Sequence, residues 1–113
     1  MITKEQLNQA WETIRQWDKE NTQGIHWKYY NELLIQLNTT NADITGKSRQ
    51  RAIVYKRIII ANKIRQKFDT ISDEKIGQIL NKDRTTIVYY TRQYQLLKKY
   101  KDFRNIENNV LDL

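Results

Sequence analysis

Apolar side chains recur at spacings of three and four residues along most of this chain, the pattern of helices with one buried face. A Thr-Lys-Glu-Gln capping sequence at residues 3–6 opens the first such stretch, which carries apolar residues at positions 7, 11, 14 and 17. The second stretch runs over residues 25–37, with apolar residues at positions 27, 30, 34 and 37. Together they predict an antiparallel helical hairpin with an aromatic seam, closed on itself, on the C-terminal half, or on a second copy.

Three further helices are predicted after a polar connecting loop over residues 38–47. The first, over residues 48–67, is expected to bury Ile53, Ile60 and Ile64, flanked by Ala52 and Ile59. The second, over residues 73–80, is capped by Ser72 and is expected to bury Ile76, Ile79 and Leu80. The third, over residues 84–103, is expected to bury Ile87, Tyr90, Tyr94 and Leu97. From Asn105 onward the chain is polar, and we expect a frayed tail.

Composition agrees with an all-α protein of one small domain. The 113 residues contain no proline and three glycines, which favours helices. No cysteine is present, so disulfides are excluded. The longest apolar runs are far too short to cross a membrane, and no secretory signal is visible at the N-terminus. We therefore expect a cytoplasmic protein with no membrane partner.

Positive charge is concentrated in one part of the chain. Residues 1–45 contain four basic and six acidic residues, whereas residues 46–104 contain sixteen basic and five acidic residues, a net charge of +11. Residues 105–113 are net acidic. A basic segment of this kind is often only a solvated surface, but it is also the electrostatic footprint of a nucleic-acid-binding protein.

The sequence Lys-Asp-Arg-Thr-Thr-Ile-Val-Tyr-Tyr-Thr at residues 82–91 coincides with this basic segment. It places a turn, a capping Asp83 and two threonines at the start of a helix whose other side is apolar. Two helices joined by a tight turn, with small polar residues on the first turn of the second helix, are typical of a helix-turn-helix DNA-binding motif. The alternative is a plain capped core helix.

The chain from Ser48 to about Lys99 resembles the C-terminal DNA-binding domain of the bacterial replication initiator DnaA. That family has Gly-Gly-Arg-Asp-His-Thr-Thr-Val near its recognition helix, and this chain has Asn-Lys-Asp-Arg-Thr-Thr-Ile-Val at residues 81–88. The family's Ile-Gly pair on the preceding helix is matched at residues 76–77, and its basic segment at residues 48–51, with Arg57 further on. The family's two histidines are replaced by Arg84 and Tyr89, and its ATPase module has no counterpart in this sequence.

The resemblance implies a DnaA-like helix-turn-helix domain in residues 46–104 and a set of DNA contacts. The hydrophobic pattern adds the N-terminal helical hairpin in residues 1–45 and the polar tail in residues 105–113. The implied DNA-binding residues are Arg49, Arg51, Arg57, Lys82, Asp83, Arg84, Thr85, Thr86 and Tyr89. In this set Arg49 is expected in the minor groove, Arg57 on the backbone or a base, and residues 82–86 on bases and nearby phosphates of the major groove. Arg84 brings a donor fork suited to guanine.

The expected function is sequence-specific binding of double-stranded DNA without ATPase activity, by a bacterial or phage transcriptional regulator or replication accessory factor. The alternative is a protein-interaction module that binds a host replication or transcription protein through the tryptophan-rich hairpin. The other partner that the sequence leaves open is a second copy of the chain, bound through the N-terminal helices.

Other kinds of chemistry have weaker support in the sequence. Thr-Gly-Lys-Ser at residues 45–48 ends like a phosphate-binding loop, but Asn41 stands where that motif needs glycine. His26 is the one histidine and cannot form a metal cluster by itself. The tyrosines at 89, 90 and 94 could stack on single-stranded bases, but helical spacing places Tyr90 and Tyr94 on the buried stripe and Tyr89 off it. We expect no enzyme, no cofactor and no metal site.

Overall fold

The structure is a computed structural model, and it describes residues 22–110. Within that range the chain is all-α, as predicted, with six helices and no strand. They are α1 (Thr22–Gln36), α2 (Asn41–Thr45), α3 (Arg51–Lys67), α4 (Asp73–Leu80), α5 (Arg84–Leu97) and α6 (Lys101–Glu107). None of these helices combines the length and the apolar character that a membrane crossing requires.

Helix α3 is the centre of the fold, because each of the other five helices packs against it. Residues 58–62 are each at most 4% exposed, so the middle of this helix is buried on all sides. The prediction of a single buried stripe is therefore wrong at its N-terminal end, where Ala52 is exposed and Ile53 is half-buried. Ile58, which the stripe did not include, is fully buried. A stripe pattern assumes one packed side, and α3 has neighbours all round.

Helix α1 confirms the predicted helix over residues 25–37 and packs against α3. Its predicted apolar face is buried at Tyr30, Leu34 and Leu37, and Trp27 is partly buried against the same core. The other helix of the predicted hairpin lies outside the described residues. One apolar cluster extends from Tyr30 to Val110, so the predicted boundary between residues 45 and 46 does not divide the core.

The segment over residues 38–47 was predicted to be a loop, but it contains the short helix α2. The Thr40 side chain caps this helix by accepting a hydrogen bond from the Asp43 backbone N–H at 3.2 Å. Asn41 Oδ1 accepts a hydrogen bond from the Tyr30 hydroxyl at 2.7 Å, and Ile44 is fully buried. A five-residue helix held by one apolar side chain is too short to produce a periodic pattern in the sequence.

The C-terminal prediction was also partly wrong. Helix α5 ends at Leu97, not at Phe103, and the chain turns back into α6. Phe103 is fully buried, with its ring centroid 5.3 Å from that of Tyr55 and 5.8 Å from that of Tyr94. The expectation of a frayed tail from Asn105 onward is wrong for residues 105–110. Helix α6 continues to Glu107, and Val110 is buried, at 7% exposed.

Replacing Phe103 with Ala is expected to lower the free energy of unfolding by about 3 to 5 kcal/mol, because it removes a buried ring and leaves a cavity. Chemical denaturation followed by circular dichroism measures this change. Tyr100→Ala is the matched control, since its ring is 60% exposed. We expect less than about 0.5 kcal/mol for the control. Equal effects of the two substitutions would contradict the placement of α6 on the core.

Candidate nucleic-acid interface

Helices α4 and α5 are joined by a turn of three residues, Asn81 to Asp83. Ser72 caps α4 as predicted, accepting a hydrogen bond from the Lys75 backbone N–H at 3.1 Å. Asn81 ends α4 in the left-handed conformation, at φ 55° and ψ 46°, which asparagine tolerates better than most residues. The Lys82 backbone N–H then donates a hydrogen bond to the Gly77 carbonyl at 2.8 Å. This bond ties the turn to the C-terminal end of α4.

Gly77 allows this turn to lie directly against α4. A Cβ atom at this position would lie 2.4 Å from the Lys82 carbonyl oxygen and 3.6 Å from the Asp83 carbonyl carbon. The group that approaches is the backbone of the turn itself, which is a stronger constraint because a backbone cannot rotate away as a side chain can.

The first turn of α5 confirms the predicted cap and the predicted exposed face. Asp83 Oδ1 accepts a hydrogen bond from the Thr86 backbone N–H at 2.8 Å, and this bond lowers the pKa of the Asp83 carboxyl. Arg84 and Thr85 are exposed, Thr86 is half-buried, and Tyr89, one turn later, is 54% exposed. The other face of α5 is packed in the core through Ile87, Tyr90 and Tyr94.

Lys82 links the turn to the segment that precedes α3. Its Nζ donates hydrogen bonds to the carbonyl oxygens of Gly46 and Thr45, and the Asn81 side-chain amide also donates to Thr45, at 3.4 Å. Burial lowers the pKa of the Lys82 ammonium, and the positive charges of Arg57 and Lys47 lower it further. The ammonium group is thus engaged within the protein, not free on its surface.

Arg57 is buried, at 4% exposed, and its guanidinium binds the backbone of the segment 43–48. Nε donates to the Ile44 carbonyl at 3.0 Å, and Nη2 donates to the carbonyls of Asp43 and Gly46 at 2.7 and 3.0 Å. Nη1 donates to the Ser48 carbonyl. The structure therefore contradicts the expectation that Arg57 contacts DNA, because its donors are occupied and its side chain is shielded from solvent.

A signal for the burial of Arg57 was present in the sequence. The four residues that follow it, at positions 58–61, are all apolar, which leaves this part of the helix no obvious solvent face. The partners of Arg57 could not have been identified in this way, since they are main-chain carbonyls of a polar segment and carry no side-chain signature.

Arg49 lies between the segment 43–48 and α3, Arg51 is the first residue of α3, and both are exposed. Neither side chain forms a hydrogen bond to another residue in the range 22–110. Two further cations were not predicted. Lys47 is exposed and close enough to Lys82 to lower its pKa, and Arg92 is exposed three residues after Tyr89 on the same side of α5. The spacing of Arg92 from Thr85 and Tyr89 could have identified it.

The segment 43–48, which precedes Arg49 and Arg51, is hydrogen-bonded through Lys82 to the turn that starts α5. Comparison with models of protein families, with curated proteins and with solved structures finds no match to this chain. The function is therefore inferred from the chemistry of this surface.

Replacing Arg57 with Ala is expected to lower the free energy of unfolding by about 3 kcal/mol or more, because four carbonyls lose a charged donor. Arg57→Lys should recover part of this loss, since an ammonium cannot reproduce the donor fork. The control is Arg49→Ala, which should change stability by less than about 0.5 kcal/mol. Urea denaturation of the three variants checks these values, and a stable Arg57→Ala protein would contradict the structural role.

Proposed function

We propose that this protein binds double-stranded DNA and reads its sequence with the first turn of α5 in the major groove. The observation that carries the proposal is the hydrogen-bonded link between the α4–α5 turn and the basic segment before α3. Because of this link, the exposed polar side chains of α5 and the exposed cations before α3 are proposed to form one surface. A helix entering a groove with flanking cations on phosphates is the general form of helix-turn-helix recognition.

Three residues at the start of α5 are proposed to contact bases. Thr85 is exposed, and its hydroxyl and methyl groups suit a base edge and a thymine methyl. Arg84 is exposed and offers a fork of donors to guanine. Asp83 uses Oδ1 to cap the helix, so its other carboxylate oxygen is the one proposed to accept from a cytosine or adenine amino group.

Cations on both sides of this turn are proposed to hold the DNA backbone. Arg49 and Arg51 are exposed, and the resemblance to DnaA suggests that Arg49 enters the adjacent minor groove. Tyr89 and Arg92 follow Thr85 along the outer side of α5 and are proposed to reach phosphates. Lys82 is proposed to act differently from the other cations, by fixing the basic segment in place, because its ammonium already binds Gly46 and Thr45.

The net charge of +11 on residues 46–104 supports the same proposal, since it favours a polyanion as partner. We propose a transcriptional regulator or a replication accessory factor of bacterial or phage origin as the biological setting. The alternative of a protein-interaction module has no comparable support. Trp27, the one tryptophan within the described range, is partly buried and packs against the core.

Affinity for duplex DNA is expected to fall steeply with salt, since each neutralised phosphate releases a counterion. About five phosphate contacts give a slope of roughly −4.5 in a plot of log K against log salt concentration. Arg51→Ala should flatten this slope by about 0.9. Lys101→Ala, an exposed cation on α6, is the control and should leave it unchanged. An affinity that does not respond to salt between about 50 and 200 mM would contradict DNA binding.

Base reading is tested separately with Thr85→Ala, after bound sequences have been selected from a random duplex library. Specific binding should weaken by about 1 to 3 kcal/mol while binding to random duplex changes little. Folding should be retained because Thr85 is exposed. Gln95→Ala, at an exposed position near the other end of α5, is the control for an unrelated surface change. Equal weakening on specific and random DNA would exclude α5 as the reading helix.

A further inference from the structure

The outer face of α1 carries a pattern that is symmetric about position 30. Tyr30 points into the core and is 1% exposed. On the opposite face, Ile25 precedes it by five residues and Ile35 follows it by five, whereas Lys28 precedes it by two and Glu32 follows it by two. These four residues are separated by three, four and three positions, so they lie on one side of the helix.

All four side chains of this face are exposed. Ile25 is 56% exposed and Ile35 is 80% exposed, the largest exposure among the large apolar residues of the described range. Lys28 and Glu32 are exposed between them and form no ion pair with any residue in the range 22–110. The face therefore has two exposed apolar ends with a cation and an anion between them, a pattern that is complementary to itself when reversed.

We propose that this face, made of Ile25, Lys28, Glu32 and Ile35, binds the same face of a second copy of the chain in an antiparallel pair. A two-fold axis at the level of position 30 exchanges the two ends of the face. Ile25 of each copy then meets Ile35 of the other, and Lys28 of each copy meets Glu32 of the other. Every contact occurs twice.

Charge complementarity selects this partner and this orientation. An antiparallel copy places each charge against its opposite, whereas a parallel copy would place Lys28 against Lys28 and Glu32 against Glu32. Within one helix, Lys28 could instead pair with Glu32 of the same chain. This pairing competes only weakly with the contact between copies, because lysine N-terminal to glutamate at a spacing of four is the less favourable order. The apolar contribution is small, so the dimer belongs to the weaker class of interfaces.

Sedimentation equilibrium of the full chain tests this proposal over about 1 to 300 µM, the range that suits a weak complex. The wild-type protein should approach twice its mass of 13.7 kDa as concentration rises. Ile35→Asp should abolish this increase. Leu96→Asp, at an exposed leucine on α5, is the matched control and should leave it unchanged.

The decisive comparison uses Lys28→Glu and Glu32→Lys, separately and mixed. Each variant alone brings like charges together twice, which should raise the dimer dissociation constant at least about tenfold. An equimolar mixture should associate again, because one chain then carries two anions and the other two cations at the facing positions. A change confined to one helix could not produce this rescue.

Three outcomes would overturn the proposal. A wild-type protein that stays at 13.7 kDa over the whole range would exclude self-association through this face. A wild-type dimer that survives both charge substitutions would use a different surface. A mixture that does not associate, when the wild type does, would exclude the antiparallel pairing. None of these measurements contains DNA, so the result is independent of the proposed function.

Discussion

The binding of the Arg57 guanidinium to the carbonyl oxygens of the segment 43–48 organises the N-terminal side of the central helix. A buried charge is costly unless its donors are satisfied, and here no carboxylate satisfies them within the described range. The main-chain carbonyl groups of four residues accept these hydrogen bonds instead, two of them within α2 and two after its end. The path of the chain from α2 to α3 is therefore determined by a side chain on α3.

The same carbonyls connect this interaction to the surface. The Gly46 oxygen accepts from both Arg57 and Lys82, so a residue of the core and a residue of the α4–α5 turn share one acceptor. The proximity of the two cations is unfavourable, and it lowers the pKa of Lys82. That arrangement is retained because each cation binds carbonyl dipoles, which offset part of the repulsion. The position of the turn relative to the basic segment thus depends on a residue that never reaches the surface.

The sequence predicted those parts of the structure that arise from local periodicity. Helix α4 was predicted with its bounds and its Ser72 cap, and the start of α5 was predicted with Asp83 as its cap. The burial of Tyr90 and Tyr94 and the exposure of Tyr89 also followed from spacing. Local signals of this kind are sufficient when one helix face packs on one neighbour.

The failures share a different cause, which is that they depend on contacts between distant parts of the chain. Helix α2 exists because Ile44 is buried against residues far from it in sequence. Helix α5 stops early because Phe103 returns to Tyr55 and Tyr94. Arg57 was assigned to DNA by its resemblance to a residue of the DnaA domain, and the carbonyls that bind it give no signal in the sequence.

The tight contact between Gly77 and the backbone of the turn has a consequence for how this surface can change. The turn is fixed by main-chain groups, by the left-handed Asn81 and by the Asp83 cap, whereas the side chains of Arg84 and Thr85 take no part in holding it. Substitutions at those two positions leave the stability of the fold nearly unaffected. The chemical identity of the exposed first turn can therefore diverge between related proteins while the scaffold stays constant, and variants at positions 84 and 85 can be made in any combination without compensating changes in the core.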